Sequence, residues 1–138
     1  MTQPPAVSHA RIVEPKLRQG LVVLGAIQLA LAVFLAVAPG TFVDTIAPYG
    51  DSDAHFMRDL ATFYLAMGAV LLLAVRRVSW RVPVLAFVAL QYAIHTVNHL
   101  IDIGETDPGW LGPFNFLSLL LLTFFAGYLL SAAARGRR

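Results

Sequence analysis

The amino-acid sequence predicts an all-α integral membrane protein, a bundle of four transmembrane helices with both termini in the cytoplasm. Hydrophobic residues make up 58% of the 138 residues, and charged residues only 13%. A soluble globular domain carries about 25% charged residues. The apolar residues are also gathered into four runs. Each run is long enough to cross a bilayer, which needs ~20 residues. We therefore expect a multi-pass protein that is embedded in the lipid bilayer.

The transmembrane domain is predicted at residues 19–134, between a polar tail at 1–18 and a basic tail at 135–138. Its first run is too long for the apolar part of a signal peptide, about 7–15 residues, and Pro39 disfavours cleavage after Ala38. We therefore expect this run to be retained as a span. The four spans are predicted at residues 20–38, 55–75, 82–101 and 114–134.

Polar segments with turn-forming residues separate the spans. The segment from Pro39 to Ala54 is predicted to be a loop. Its last residues, Asp51-Ser52-Asp53, offer side-chain oxygens that cap the free N–H groups of the second helix. The third span begins with Pro83, a residue that is tolerated in the first helical turn. A second loop, Asp102 to Pro113, precedes the fourth span.

The charged residues divide between the two sides of the membrane according to their sign, with Arg58 and Glu14 as the exceptions. Because loops rich in Lys and Arg stay in the cytoplasm, both termini are expected there. Basic clusters beside apolar runs are typical of such orientation signals, so we expect no nucleic-acid partner. The cytoplasmic side carries Arg11, Lys16, Arg18, Arg76, Arg77, Arg81, Arg135, Arg137 and Arg138, and the other side carries Asp44, Asp51, Asp53, Asp59, Asp102, Glu105 and Asp107.

The sequence contains no cysteine. Disulfides, thiolate metal sites, CxxC redox chemistry and a cysteine nucleophile are therefore excluded. A redox role would need a bound cofactor or a partner protein.

A stripe of polar residues follows the outer half of the third span. The polar residues recur at spacings of three and four, so they share one helical face, whereas Ile94, Val97 and Leu100 are apolar. Ionisable side chains are costly in lipid, which indicates that the stripe faces protein or water. The stripe consists of Gln91, His95, Asn98, His99 and Asp102.

A second polar stripe begins the second span, with His55, Arg58, Asp59 and Thr62. The second and third spans are joined by a short turn, so we expect antiparallel neighbours with both stripes at the same depth. This arrangement predicts one shared cluster that opens to the outer face. Asn115, near the start of the fourth span, is expected to join it.

A metal site is the first interpretation of this cluster. His95 and His99, four residues apart on a helix, present two imidazoles to one ion. His55, Asp59 and Asp102 complete the candidate ligand set, with Arg58, Thr62, Gln91, Asn98 and Asn115 as supporting residues. Imidazole and carboxylate ligands suit zinc, iron, manganese or copper. Haem is disfavoured, because His95 and His99 share a face and cannot supply opposite axial ligands.

Two other interpretations stay open. The cluster is also suited to a pocket for a lipophilic molecule, such as a quinone or a lipid, in which Asp and His side chains exchange protons with the ligand. Alternatively, Arg58, Asp59 and Asp102 form a structural ion-pair network that fastens the helices of a non-catalytic membrane subunit. Polar contacts between membrane helices contribute only about 0.6 kcal/mol on average, which makes fastening alone a weak reason for so many ionisable groups.

The segment from Arg58-Asp59-Leu60 to Gly68, together with the chain length and span number, resembles the DoxX-like family of small four-span bacterial membrane proteins. The resemblance implies a location in the bacterial inner membrane. It also implies a quinone-linked or redox-accessory role, because characterised members include a thiosulfate:quinone oxidoreductase subunit. A membrane redox partner and a homo-oligomer are the protein partners to be considered. No catalytic residue of the family is matched by the stripe that contains His95.

Overall fold

The computed structural model describes residues 8–49 and 53–136, with residues 8–13 described by their backbone alone. These ranges contain no strand. In this part of the chain, four helices are long and apolar enough to cross a membrane, which confirms an all-α protein with four candidate spans. The elements are α1 (Ser8–Val37), α2 (Pro39–Thr45), α3 (Ala54–Arg76), a short 3₁₀ turn (Val78–Trp80), α4 (Arg81–Ile101) and α5 (Leu111–Arg135), of which α1, α3, α4 and α5 are the spans.

Two boundaries differ from the sequence prediction. Helix α1 already begins at Ser8, within the segment that was assigned to the polar tail. Helix α2 occupies part of the predicted loop, and Pro39 opens it. Proline is favoured in the first helical turn because its missing N–H is not needed there. Helix α2 is too short for its apolar period to be read from sequence, yet it buries Val43.

The start of α3 is capped as predicted. The carboxylate Oδ1 of Asp53 accepts a hydrogen bond from the backbone N–H of His55 at 2.7 Å. This bond satisfies one of the free N–H groups at the helix start. Asp51 and Ser52, the other residues of the predicted cap, lie outside the described residues.

Helices α1 and α3 form one closely packed pair, and α4 and α5 form the other. Gly25 of α1 faces Gly68 of α3. A Cβ atom added at Gly68 would lie 3.1 Å from the carbonyl oxygen of Gly25 and 2.8 Å from the Leu29 side chain. Two glycines opposite each other allow this close approach of the helix backbones. Helices α3 and α4, although joined by a short turn, contact each other much less extensively.

Arg81 fastens the turn between α3 and α4 to α1. The residue is only 4% exposed, and its guanidinium donates to both carboxylate oxygens of Glu14, at 2.7 and 2.9 Å. It also donates to the carbonyl oxygens of Ala74 and Val75, near the end of α3. Because the last carbonyls of a helix lack partners within the helix, this arginine caps α3. Glu14 and the α3–α4 turn therefore lie at the same end of the bundle.

Gln28 of α1 occupies the centre of the bundle and is fully buried. Its Nε2 donates to the Tyr92 hydroxyl of α4 at 2.9 Å and lies 3.5 Å from the Met67 sulfur of α3. Its Oε1 is buried without a hydrogen-bond partner among the described residues. A single polar side chain thus connects three of the spans at mid-depth.

Candidate functional site

Four side chains form a hydrogen-bonded series at the end of the bundle opposite Arg81. Asn115 Nδ2 of α5 lies 3.5 Å from the hydroxyl of Tyr49, in the connector after α2. The Tyr49 hydroxyl lies 2.8 Å from His99 Nδ1, and His99 Nε2 lies 3.2 Å from His95 Nε2. We call this series, Asn115–Tyr49–His99–His95, the histidine chain.

The local fold explains how the histidine chain is held. His95 and His99 are one turn apart on the same face of α4, and their ring centroids are 4.8 Å apart. Tyr49 packs edge-on against His99, at a centroid distance of 5.2 Å. Asn115 is buried in the first turns of α5 and donates to the carbonyl oxygen of Ile46 at 2.7 Å. Asn115 therefore fixes the connector, and with it the position of the Tyr49 hydroxyl.

A groove between α3 and α4 lies directly beside the histidine chain. Its volume is about 420 Å³, within the range of ~300–1,000 Å³ that is typical of small-molecule sites. Its polar lining comes mainly from α4, with Gln91, His95 and Asn98, and Tyr64 of α3 adds a phenol ring with a hydroxyl. The apolar lining consists of Leu60 and Phe63 of α3 and Phe87, Leu90 and Ile94 of α4.

Gln91 is the unusual member of this lining. Its Oε1 is buried, and no donor reaches it from the part of the chain that the structure describes. A buried acceptor without a hydrogen bond costs about 1–3 kcal/mol. Most native buried polar atoms are paired, so this acceptor is an exception that the donor of a water molecule or of a ligand would remove.

The structure does not bring the two predicted polar stripes together. His55 and Asp59 form a pair of their own at 3.6 Å, with side chains 82% and 66% exposed. Thr62 uses its hydroxyl to donate to the backbone carbonyl of Asp59. Arg58 and Thr62 line a smaller cavity of about 180 Å³ between α1 and α3. The stripe on α3 is therefore separate from the histidine chain.

The candidate metal ligands lie at separate places in the described structure. Asp102 is exposed just after α4, where its carbonyl oxygen accepts from the N–H of Glu105. Across residues 8–49 and 53–136, no three His, Asp or Glu side chains are placed to hold one metal ion. The predicted set of His55, Asp59, His95, His99 and Asp102 is thus not assembled in the described part of the chain.

Tyr49 is the residue of this site that the sequence analysis missed. It lies in a connector beside Pro48, where neither helical period nor a polar stripe marks it. The available signal was its place in the segment that lies on the outer side in a four-span arrangement. That is the side to which His95, His99 and Asn115 had been assigned.

No protein-family model, curated protein or solved structure matches this chain. The resemblance to DoxX-like proteins therefore stays a prediction, and function has to be inferred from the geometry of the site.

Proposed function

We propose that this protein binds a small lipophilic molecule in the groove between α3 and α4, with a hydroxyl of the ligand donating to Gln91. The observation that carries the proposal is Gln91, whose side chain lines a largely apolar groove while its Oε1 is buried and has no partner among the described residues. Rotation of the amide about its last side-chain bond turns this oxygen towards the groove. A ligand hydroxyl that donates to this oxygen removes the cost of burying it unpaired. The apolar remainder of the ligand lies against Phe63 and Phe87.

The remaining polar groups define the ligand class further. His95 and Asn98 line the groove near Gln91, so donors and acceptors gather around the head of the ligand. The lining contains no Lys, Arg, Asp or Glu, which disfavours a ligand that carries a full charge. Phenols, hydroquinones and hydroxylated lipids fit this pattern. A quinone-linked role falls within the same class.

The orientation of the site follows from the charges. Arg81 and Glu14 mark the end of the bundle that also carries most of the basic residues in the sequence. We place that end in the cytoplasm, by the positive-inside rule. The histidine chain lies at the opposite end, so the groove opens in the outer leaflet.

A divalent metal is the second candidate ligand. Its support is the pair His95 and His99, whose Nε2 atoms face each other at 3.2 Å. Zinc, iron, manganese or copper sites need at least a third protein ligand. Because the described residues add no acidic side chain to the pair, the lipophilic ligand is favoured.

The test compares 4-nonylphenol with its methyl ether, 4-nonylanisole, on protein in mild detergent. We expect saturable binding of one phenol per chain and about tenfold weaker binding of the ether, because only the phenol donates a hydrogen bond. Gln91→Leu is expected to remove this preference. Equal affinities of wild-type protein for the two compounds, or an unchanged preference in Gln91→Leu, would contradict the proposal.

Gln28→Leu is the matched control for this experiment. Gln28 also has a buried, unpaired Oε1, but it lies in the centre of the bundle and does not line the groove. Its substitution is expected to leave the preference for the phenol unchanged. A preference lost in both variants would indicate a general change of fold.

A further inference from the structure

We propose that the histidine chain is a proton path, which connects a hydroxyl ligand in the groove to water at the membrane face that carries Tyr49. The inference deepens the proposed function and rests on it, because the ligand in the groove supplies or receives the proton. The observation behind it is that the side chains are connected in series, from the wall of the groove to a connector outside the spans.

Each imidazole is placed to pass a proton through its ring. His99 uses both ring nitrogens, with Nδ1 facing the Tyr49 hydroxyl and Nε2 facing His95. His95 uses Nε2 towards His99, which leaves its Nδ1 for a molecule in the groove that it lines. An imidazole that gains a proton on one nitrogen can release the proton on the other, so two rings in series transmit a proton without moving.

The transfer balances atom by atom. The ligand hydroxyl turns from Gln91 Oε1 to His95 Nδ1. Its O–H bond breaks as the His95 Nδ1–H bond forms, and the proton on His95 Nε2 passes to His99 Nε2. The proton on His99 Nδ1 passes to the Tyr49 oxygen, while the original Tyr49 proton leaves to water. One proton enters and one leaves, and no oxidant or reductant takes part. The ligand becomes an anion, which is the short-lived state because the uncharged lining favours the neutral ligand. The reverse sequence returns the proton.

The chain is hydrogen-bonded both before and after the transfer. Before it, His95 donates to His99, and His99 donates to Tyr49. Afterwards both bonds run in the opposite direction, with the same heavy-atom positions. The amide nitrogen of Asn115 only donates, so it approaches the Tyr49 oxygen in either state. Asn115 is therefore a positioning residue that favours neither direction.

The path serves one membrane face only. Tyr49 is half-buried and lies between the candidate spans that end at Val37 and begin at Ala54. Towards the other face, α4 contains the buried apolar residues Val84, Leu85 and Val88. Proton exchange with the ligand is thus expected without proton leakage across the membrane.

The first test needs no ligand. In protein labelled with ¹⁵N-histidine, nuclear magnetic resonance detects a coupling between two nitrogens that share a hydrogen bond. We expect this coupling between His95 Nε2 and His99 Nε2, and we expect Tyr49→Phe to change the ratio of His99 tautomers. Tyr128→Phe, the same change at an exposed site on α5, is the control and should leave the ratio unchanged. A missing coupling, or a tautomer ratio that Tyr49→Phe does not change, would overturn the proton path.

The second test measures the transfer itself. A nitro-substituted 4-nonylphenol, whose colour reports its ionisation, is bound to the protein and followed after a rapid pH jump. We expect Tyr49→Phe to slow proton exchange of the bound phenol by about tenfold or more, and Tyr128→Phe to leave its rate unchanged. Saturable binding with an unchanged rate in Tyr49→Phe would overturn the proton path alone. Absence of saturable binding would overturn the proposed function, and with it the ligand's part in the path.

Discussion

The two sides of α3 pack in opposite ways. Towards α1, Gly68 faces Gly25, and the helices approach so closely that an added Cβ atom would meet backbone. Towards α4, Phe63 meets Phe87 at a ring-centroid distance of 6.2 Å, and a groove of about 420 Å³ separates the helices. Glycines thus close one interface, whereas aromatic side chains hold the other one open. The unpaired carbonyl of Gln91 lies on the open side.

A substitution in the close-packed interface between α1 and α3 is expected to have the largest effect on stability. In Gly68→Val, the new side chain meets Leu29 and the carbonyl oxygen of Gly25, so α1 and α3 must move apart. Overpacking of this kind costs about 1–3 kcal/mol, and we expect the upper end because backbone is involved. Unfolding by increasing SDS in mild detergent measures the change.

Gly127→Val is the control for Gly68→Val. Among the described residues, no heavy atom outside its own helix backbone lies within 4 Å of a Cβ atom added at Gly127, so this variant should be much closer to wild type. Equal losses of stability at the two positions would show that Gly68 is not a close-packing residue.

The sequence predicted the spans and the faces of the helices, but not the partner of each face. The apolar runs located α1, α3, α4 and α5, and Asp53 caps α3 as expected. The helical period placed Gln91, His95 and Asn98 on one face, which lines the groove. Periodicity does not give the rotation of one helix against another. The pairing of the α3 stripe with His95 therefore stays a prediction, whereas the described contacts place Tyr49 against His99.

The second prediction concerns the end of the bundle that contains Arg81, where a short turn joins α3 and α4. Glu14→Gln removes the charged partner of buried Arg81, although the two hydrogen bonds of the guanidinium to the carbonyl oxygens of Ala74 and Val75 remain. Because the Glu14 side chain is half-exposed, we expect a loss of about 1 kcal/mol in the free energy of unfolding. The same SDS titration measures it. Glu105→Gln, in the exposed connector before α5, is the control and should leave stability unchanged; a loss of equal size there would contradict the role given to Glu14.

The third prediction is an increase in stability, and it concerns a residue that lines the groove. In ligand-free protein, Gln91→Leu removes a buried carbonyl that lacks a donor, so we expect a gain of up to about 1 kcal/mol. Gln28→Leu should not give this gain in stability, because it also removes the hydrogen bond that Gln28 donates to the Tyr92 hydroxyl. A clear loss of stability in Gln91→Leu would show that Gln91 is paired in the protein itself and is not kept for a ligand.

The most direct test of the groove is to map where a lipophilic phenol binds. A 4-alkylphenol with a photoreactive group in its tail is bound to the protein in mild detergent, irradiated, and located by mass spectrometry of the peptides. We expect the crosslinks on α3 and α4 near Phe63, Phe87 and Ile94, with excess 4-nonylphenol preventing them. Crosslinks spread over the outer faces of α1 and α5, or crosslinks that excess phenol does not reduce, would contradict a ligand site between α3 and α4.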